Sequence, residues 1–189
     1  TNVGDEILTL TSACHPNLPE LGTREIPFTE EIFIDAADFS EDPPKGFKRL
    51  VLGGEVRLRH SYVIRCDEVL KNAAGEVIEL RCSADLNTLG KNPEGRKVKG
   101  VIQWVSASAG VQAEVRLYDR LFTLPNPESG DDLLASLNPD AFQTLQAWVE
   151  PSLASAKPED HFQFEREGYF VADLVDCVNV SDSLYLFGC

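Results

Sequence analysis

Short β-patterned runs, each closed by turn-forming residues, constrain this chain of 189 residues more than any other feature. Apolar residues alternate with polar ones, or gather with β-branched ones, over residues 7–10, 32–35, 49–52, 55–59, 62–70, 77–82, 98–105, 113–121, 162–164 and 169–172. Alternation with period two places every second side chain on one face of an extended strand. Many such runs with no long helical period between them predict an all-β fold of barrel type. The turn chemistry agrees: Gly53-Gly54, Asn72-Ala73-Ala74-Gly75 and Asn92-Pro93-Glu94-Gly95 each precede a new run and predict hairpins. Helical signals are short, over 36–39, 131–137 and 140–146, the last behind the start signal Asn138-Pro139. They predict connectors only.

Charge is segregated. Residues 45–65, KGFKRLVLGGEVRLRHSYVIR, hold the six cations Lys45, Lys48, Arg49, Arg57, Arg59 and Arg65 and the single anion Glu55, a net +5. The whole chain carries −14, which leaves −19 on the remainder. Arg57 and Arg59 lie two apart and so share a strand face. Two guanidiniums so placed either grip phosphates or base edges through planar donors or pair with the surplus carboxylates around them. A sequence pI near 4.5 argues against non-specific nucleic-acid binding, which needs a broadly positive surface, so any RNA contact is focused.

Composition narrows the rest. A content of 43% hydrophobic and 25% charged residues is that of a soluble globular protein. No apolar run reaches the roughly 20 residues of a membrane helix, and residues 1–11 do not resemble a signal peptide, so a cytoplasmic location is expected. The five cysteines, Cys14, Cys66, Cys82, Cys177 and Cys189, include no Cys-x-x-Cys pair and read as reduced thiols, not as a disulfide framework or a zinc site. His15, His60 and His161 have no ligand-like spacing, and no metal is expected. The chain has no methionine and reads as an internal piece or a processed product. No nucleophile elbow, Walker loop, His-Glu-x-x-His or dinucleotide fingerprint is present, so no catalysis is expected of it alone. Trp104 and Trp148 read as core residues.

Four runs in order, KRLVLGGEVRLRHSYVI (48–64), GRKVKGVIQWVSA (95–107), RLYDRLFTLPNP (116–127) and FQFEREGYF (162–170), resemble the C-terminal anticodon-binding region of the glutaminyl-tRNA synthetases. HPNLPELGTREIPF (15–28) and EIFIDAADF (31–39) extend the likeness, which covers most of the chain. The tryptophan-bearing VKGVIQWVS is similar to the glutaminyl type; a glutamyl or dual-specificity synthetase is the alternative, and a stand-alone interaction barrel that binds no RNA is another. The resemblance implies two interleaved six-stranded β-barrels of the kind found in a ribosomal protein that binds 5S rRNA. They are expected at about 26–100 and 101–189, with strand exchange involving 1–25.

The resemblance also implies a function and a set of residues. The region reads the CUG or UUG anticodon of glutamine tRNA, while a class I catalytic domain outside this chain uses ATP and magnesium to charge it; no cofactor is expected here. The family's anticodon-contacting positions fall on Asn17, Lys48, Arg49, Arg57, Arg59, Gln163, Glu165 and Arg166. Gln163 would face the middle uridine, Lys48, Arg49 and Arg166 the third-position guanine, and Arg57 and Arg59 the first position and its phosphate. Arg96, Lys97 and Lys99 would meet the tRNA backbone. Loss of Arg57 or Gln163 is expected to weaken tRNA selection without unfolding the domain. Partners are glutamine tRNA and the catalytic domain, with no membrane and a monomeric state. Three departures stand out. Residues 173–189 lack any cation where the family ends in a basic strand, Gly46 replaces a larger polar residue, and His60 stands where asparagine is common.

Overall fold

The computed structural model describes residues 2–4, 6–129, 132–176 and 184–188. The all-β expectation holds: the described residues form thirteen strands, and their only helical elements are 3-10 turns of three to five residues. No helix among them is long and apolar enough to cross a membrane. The chain divides into two compact units, Thr1–Gly110 and Val111–Cys189.

In the first unit β1 (Leu8–Ala13) pairs antiparallel with β2 (Thr23–Phe28), and β3 (Ile32–Phe33) with β8 (Val105–Ser106). The main sheet runs in the order β6 (Val77–Asp85), β5 (Val63–Lys71), β4 (Glu55–Leu58), β7 (Val101–Ile102), and its β4–β7 edge is parallel. Alternation decides which side chains enter the core. Val56 and Leu58 of β4 are fully buried while Glu55 and Arg57 are not. Ile64 and Cys66 of β5 join them with Leu10, Ile26, Ile102 and Trp104. Phe28 centres this core, with Tyr62 and Trp104 edge-on at 5.4 and 5.1 Å between ring centroids. Trp104 is a core residue as expected, and its indole N–H donates to the Arg59 carbonyl at 2.9 Å.

In the second unit β9 (Val111–Tyr118), β10 (Phe142–Val149), β11 (His161–Phe164), β12 (Gly168–Ala172) and β13 (Leu184–Gly188) form one sheet in the order β10-β9-β13-β12-β11. Its core gathers Ala113, Val115, Val149, Leu153, Phe170, Ala172 and Leu186. Phe164 stacks on Phe170 at 4.6 Å.

Several local expectations are corrected. Residues 140–146 are not a helix: Asn138 builds a turn, its carbonyl accepting from Ala141 N–H and its Oδ1 from Asp140 N–H. The following residues pair with β9 along their whole length, Phe142 with Tyr118 through Val149 with Val111. Pairing with a neighbouring strand outweighs a local start signal. Of the helix expected over 131–137, residues 132–137 form the 3-10 turn Leu134–Ser136, with Asp132 Oδ1 accepting from Leu134 and Ala135 N–H, and Leu137 bridges to Phe122; Asp131 lies outside the described residues. The run 36–39 is the 3-10 turn Ala36–Asp38. Residues 49–52 make single bridges through Leu50 and Leu52 but no strand, so Gly53-Gly54 is a turn without a hairpin before it. Residues 98–105 split into β7 and β8. Trp148 is 40% exposed on β10 and is not a core residue. Strands β2 and β13 were not expected, and β13 lies within the run that departs from the resembled family. Cys177 and Cys189 fall outside the described residues; among the described residues Cys14, Cys66 and Cys82 form no disulfide.

Candidate nucleic-acid interface

An open groove of about 520 Å³ in the first unit is walled by Lys48, Arg49, Arg65, Lys97 and Lys99, with Glu55 as its one carboxylate. Two distant pieces of chain meet to make it. The first enters through a turn at Lys45-Gly46, where Gly46 takes the left-handed φ of 89° that favours glycine. It is fixed beyond by Leu50 N–H donating to Asp38 O at 2.9 Å. The second is the approach to β7, in which Gly100 O accepts from Arg57 N–H at 3.0 Å. Where they meet, the Lys48 carbonyl lies so close over Gly100 that a Cβ there would collide with it. Only glycine permits that approach, and it brings Lys97 and Lys99 alongside Lys48.

The charges of the groove are sorted by their partners. Arg49 is anchored: Nε meets the carboxylate of buried Asp38 at 3.1 Å and Nη1 donates to Ala37 O at 2.9 Å. Arg96 takes Glu55 at 2.8 Å and Asp85 at 2.6 Å, so the groove's one carboxylate already has a cationic partner. The guanidinium of Arg96 holds the Asp85 carboxyl below the usual carboxylate range, helped by Asn87 N–H, and Glu55 and then Asp85 push Arg96 itself up. Among the described residues Lys48, Lys97 and Lys99 make no ion pair. The sheet thus leaves three ammonium groups and Arg65 along one groove.

The remaining sequence-derived residues fall as follows. Arg57 folds onto backbone: Nη1 donates to Ser61 O at 3.0 Å and Thr88 O at 2.9 Å, and Nη2 to Lys91 O at 2.6 Å. Arg59 and His60 form the tip between β4 and β5; His60 adopts φ 58° and its Nε2 lies 3.1 Å from Ser12 Oγ. Asparagine tolerates that left-handed conformation better than most residues, which gives a backbone reason for the residue expected at 60. Asn17 is exposed in a turn, its N–H donating to His15 Nδ1 at 3.1 Å. In the second unit Gln163 is exposed on β11 while Phe162 and Phe164 are half-buried, so the strand alternates as read. Glu165 and Arg166 occupy the exposed β11–β12 turn, Arg166 at φ 74°. Lys48, Arg49, Lys97 and Lys99 are brought to one groove with Arg65; Arg57 and Arg96 brace its surroundings. Arg65 was not singled out from sequence, although its signal was the same cationic run and its register opposite Glu55.

Comparison with known families gives two successive matches. Residues 1–85 and 101–173 each match an anticodon-binding domain of the class I tRNA synthetases of the E and Q type. The chain belongs to this family. As an anticodon-binding region it is 63% identical over 166 residues, 86% of the chain, to the glutamine–tRNA ligase of Ectopseudomonas mendocina (strain ymp). It is 58% identical over 176 residues, 91% of the chain, to that of Stutzerimonas stutzeri (strain A1501). It is 55% identical over 172 residues, 87% of the chain, to that of Neisseria meningitidis serogroup A. The anticodon-binding region spans 30 to 32% of the length of these relatives.

Proposed function

We propose that this chain reads the CUG or UUG anticodon of glutamine tRNA and so positions that tRNA for ATP- and magnesium-dependent glutaminylation by a catalytic domain outside it. The observation that carries this reading is a cationic groove, with its one carboxylate paired to Arg96, on a chain of net charge −14 that belongs to an anticodon-binding family. Unpaired bases need stacking surfaces, edge donors and cations held on a rigid frame. Lys48, Arg59, Gln163, Glu165, Arg166 and Asn17 are the contacting residues. Arg49 and Arg57 join through the donors their protein partners leave, Nη2 of Arg49 and Nε of Arg57, and Lys97 and Lys99 meet phosphates. The two units supply the two barrels of the family, in a cytoplasmic, monomeric parent enzyme.

The test is binding of the chain to a glutamine anticodon stem-loop against one with its middle uridine replaced and one bearing a glutamate anticodon. Preference for the glutamine loop supports the reading. Equal affinity for all three, or preference for the glutamate loop, overturns it.

A further inference from the structure

We infer that Arg65 is an RNA-phosphate ligand, completing with Lys48, Lys97 and Lys99 a track for the sugar-phosphate backbone of the bound RNA; the inference rests on the anticodon-binding reading. Five observations carry it. Arg65 sits on β5 directly opposite Glu55 of β4, and so on the wall of the same groove as the three lysines. Its side chain is 58% exposed, which leaves it accessible to a ligand. Among the described residues its side chain's one partner is Asp67 two residues on, met by Nε and Nη2 at 2.7 Å, and an exposed pair of that kind holds little energy. Nη1 has no protein acceptor among the described residues. The Glu55 carboxylate that would otherwise occupy Arg65 across the strand pair is taken by Arg96.

The chemistry fits a phosphodiester better than a base. Three ammonium groups and one guanidinium along an open groove offer point charges and a planar fork. The groove includes one aromatic side chain, Phe47, for stacking. A phosphate ligand contributes equally to every anticodon sequence, whereas a base reader does not. Arg65 is therefore expected to set affinity and salt sensitivity without affecting which loop is chosen.

The experiment measures binding of the glutamine stem-loop and its middle-base variant to the chain and to Arg65→Ala, Arg65→Lys and Arg65→Gln across a salt series, with thermal unfolding of each. Expected for Arg65→Ala is a loss of about threefold to tenfold for both loops alike and a shallower salt slope, by roughly 0.7 to 0.9 for one phosphate lost. Arg65→Lys should recover most of the slope, Arg65→Gln none of it, and the melting temperature should stay unchanged. An Arg65→Ala chain that still prefers the glutamine loop with unchanged affinity and slope overturns the phosphate role and leaves the anticodon reading standing. A wild-type chain that shows no preference while Arg65→Ala lowers the slope overturns the anticodon reading and leaves the phosphate track standing. Wild-type binding to neither loop overturns both.

Discussion

Single residues in this interface carry structural and recognition roles that substitution can separate. Arg57→Ala should reduce tRNA affinity, but it also removes a donor from three backbone carbonyls, that of Thr88 keeping the Lys91 N–H. A partly exposed charged donor of this kind is worth about 2 kcal/mol, so the variant is expected to lose stability as well, a cost that the strand pattern alone does not reveal. Urea unfolding checks it; an unchanged midpoint would show that the carbonyl contacts contribute nothing. Arg166 offers the opposite separation. Its left-handed φ of 74° costs a bulky residue roughly 1 kcal/mol relative to glycine. Arg166→Gly is therefore expected to keep or raise stability while tRNA affinity falls, as melting and binding measured on the same variant will show. Among the thiols, Cys66 is buried and burial pushes Cys82 up to about 12, whereas Cys14 is exposed. Mass spectrometry after brief native alkylation near neutral pH should find Cys14 modified and Cys66 and Cys82 protected.

At the scale of elements, the arrangement depends on how segments are clasped to the sheet. The 3-10 turn Leu86–Thr88 is fixed from both sides: Thr88 Oγ1 accepts from Val63 N–H at 2.8 Å and donates to Asp85 O at 2.6 Å. Arg96 then ties Asp85 to Glu55. Because the folded-state pKa of Asp85 is lowered, its contribution to stability is fully present above the unfolded value near pH ~4 and is lost as pH falls through the folded value. The stability gap between wild type and Asp85→Asn should therefore exist at pH 6 and narrow as the pH falls through the lowered folded-state value; a gap that stays constant as acid is added would refute the clasp. Much of this level was legible in sequence. The β4 strand follows from strict alternation, β5 and β6 coincide with the strand-patterned runs 62–70 and 77–82, and the Asn72–Gly75 turn forms the expected hairpin, with Asn72 N–H donating to Glu76 O at 2.9 Å. What was not legible depended on a distant partner. β10 becomes a strand because β9 lies beside it, and β2 carries Pro27 opposite Thr9 in a two-stranded ribbon where a missing donor is tolerated. In the groove, Lys48 and Arg49 could be named from the resemblance, but that Arg49 is anchored to Asp38 and that Arg65 faces the same space needed the register and the turn at Ala36–Asp38.

Over the whole molecule the charge is divided as unevenly as within the 45–65 run. The first unit holds 13 of the 17 cations and a net charge of −4, and the second holds four cations and −10. In the proposed reading, attraction to RNA is centred on the first unit, and Gln163, Glu165 and Arg166 of the second would act against an acidic background, a division suited to selecting bases more than to holding phosphates. Both roles depend on spacing as much as on charge. Gly100 bears no charge and touches no proposed ligand, yet its missing Cβ lets the Lys48 carbonyl approach. Gly100→Ala is expected to cost about 3 kcal/mol or more and to weaken RNA binding in proportion to any shift of Lys48 away from Lys99, which chemical denaturation and stem-loop titration would register together. A survey of RNA-binding determinants that replaced only the ionic side chains would pass over the position on which their separation depends.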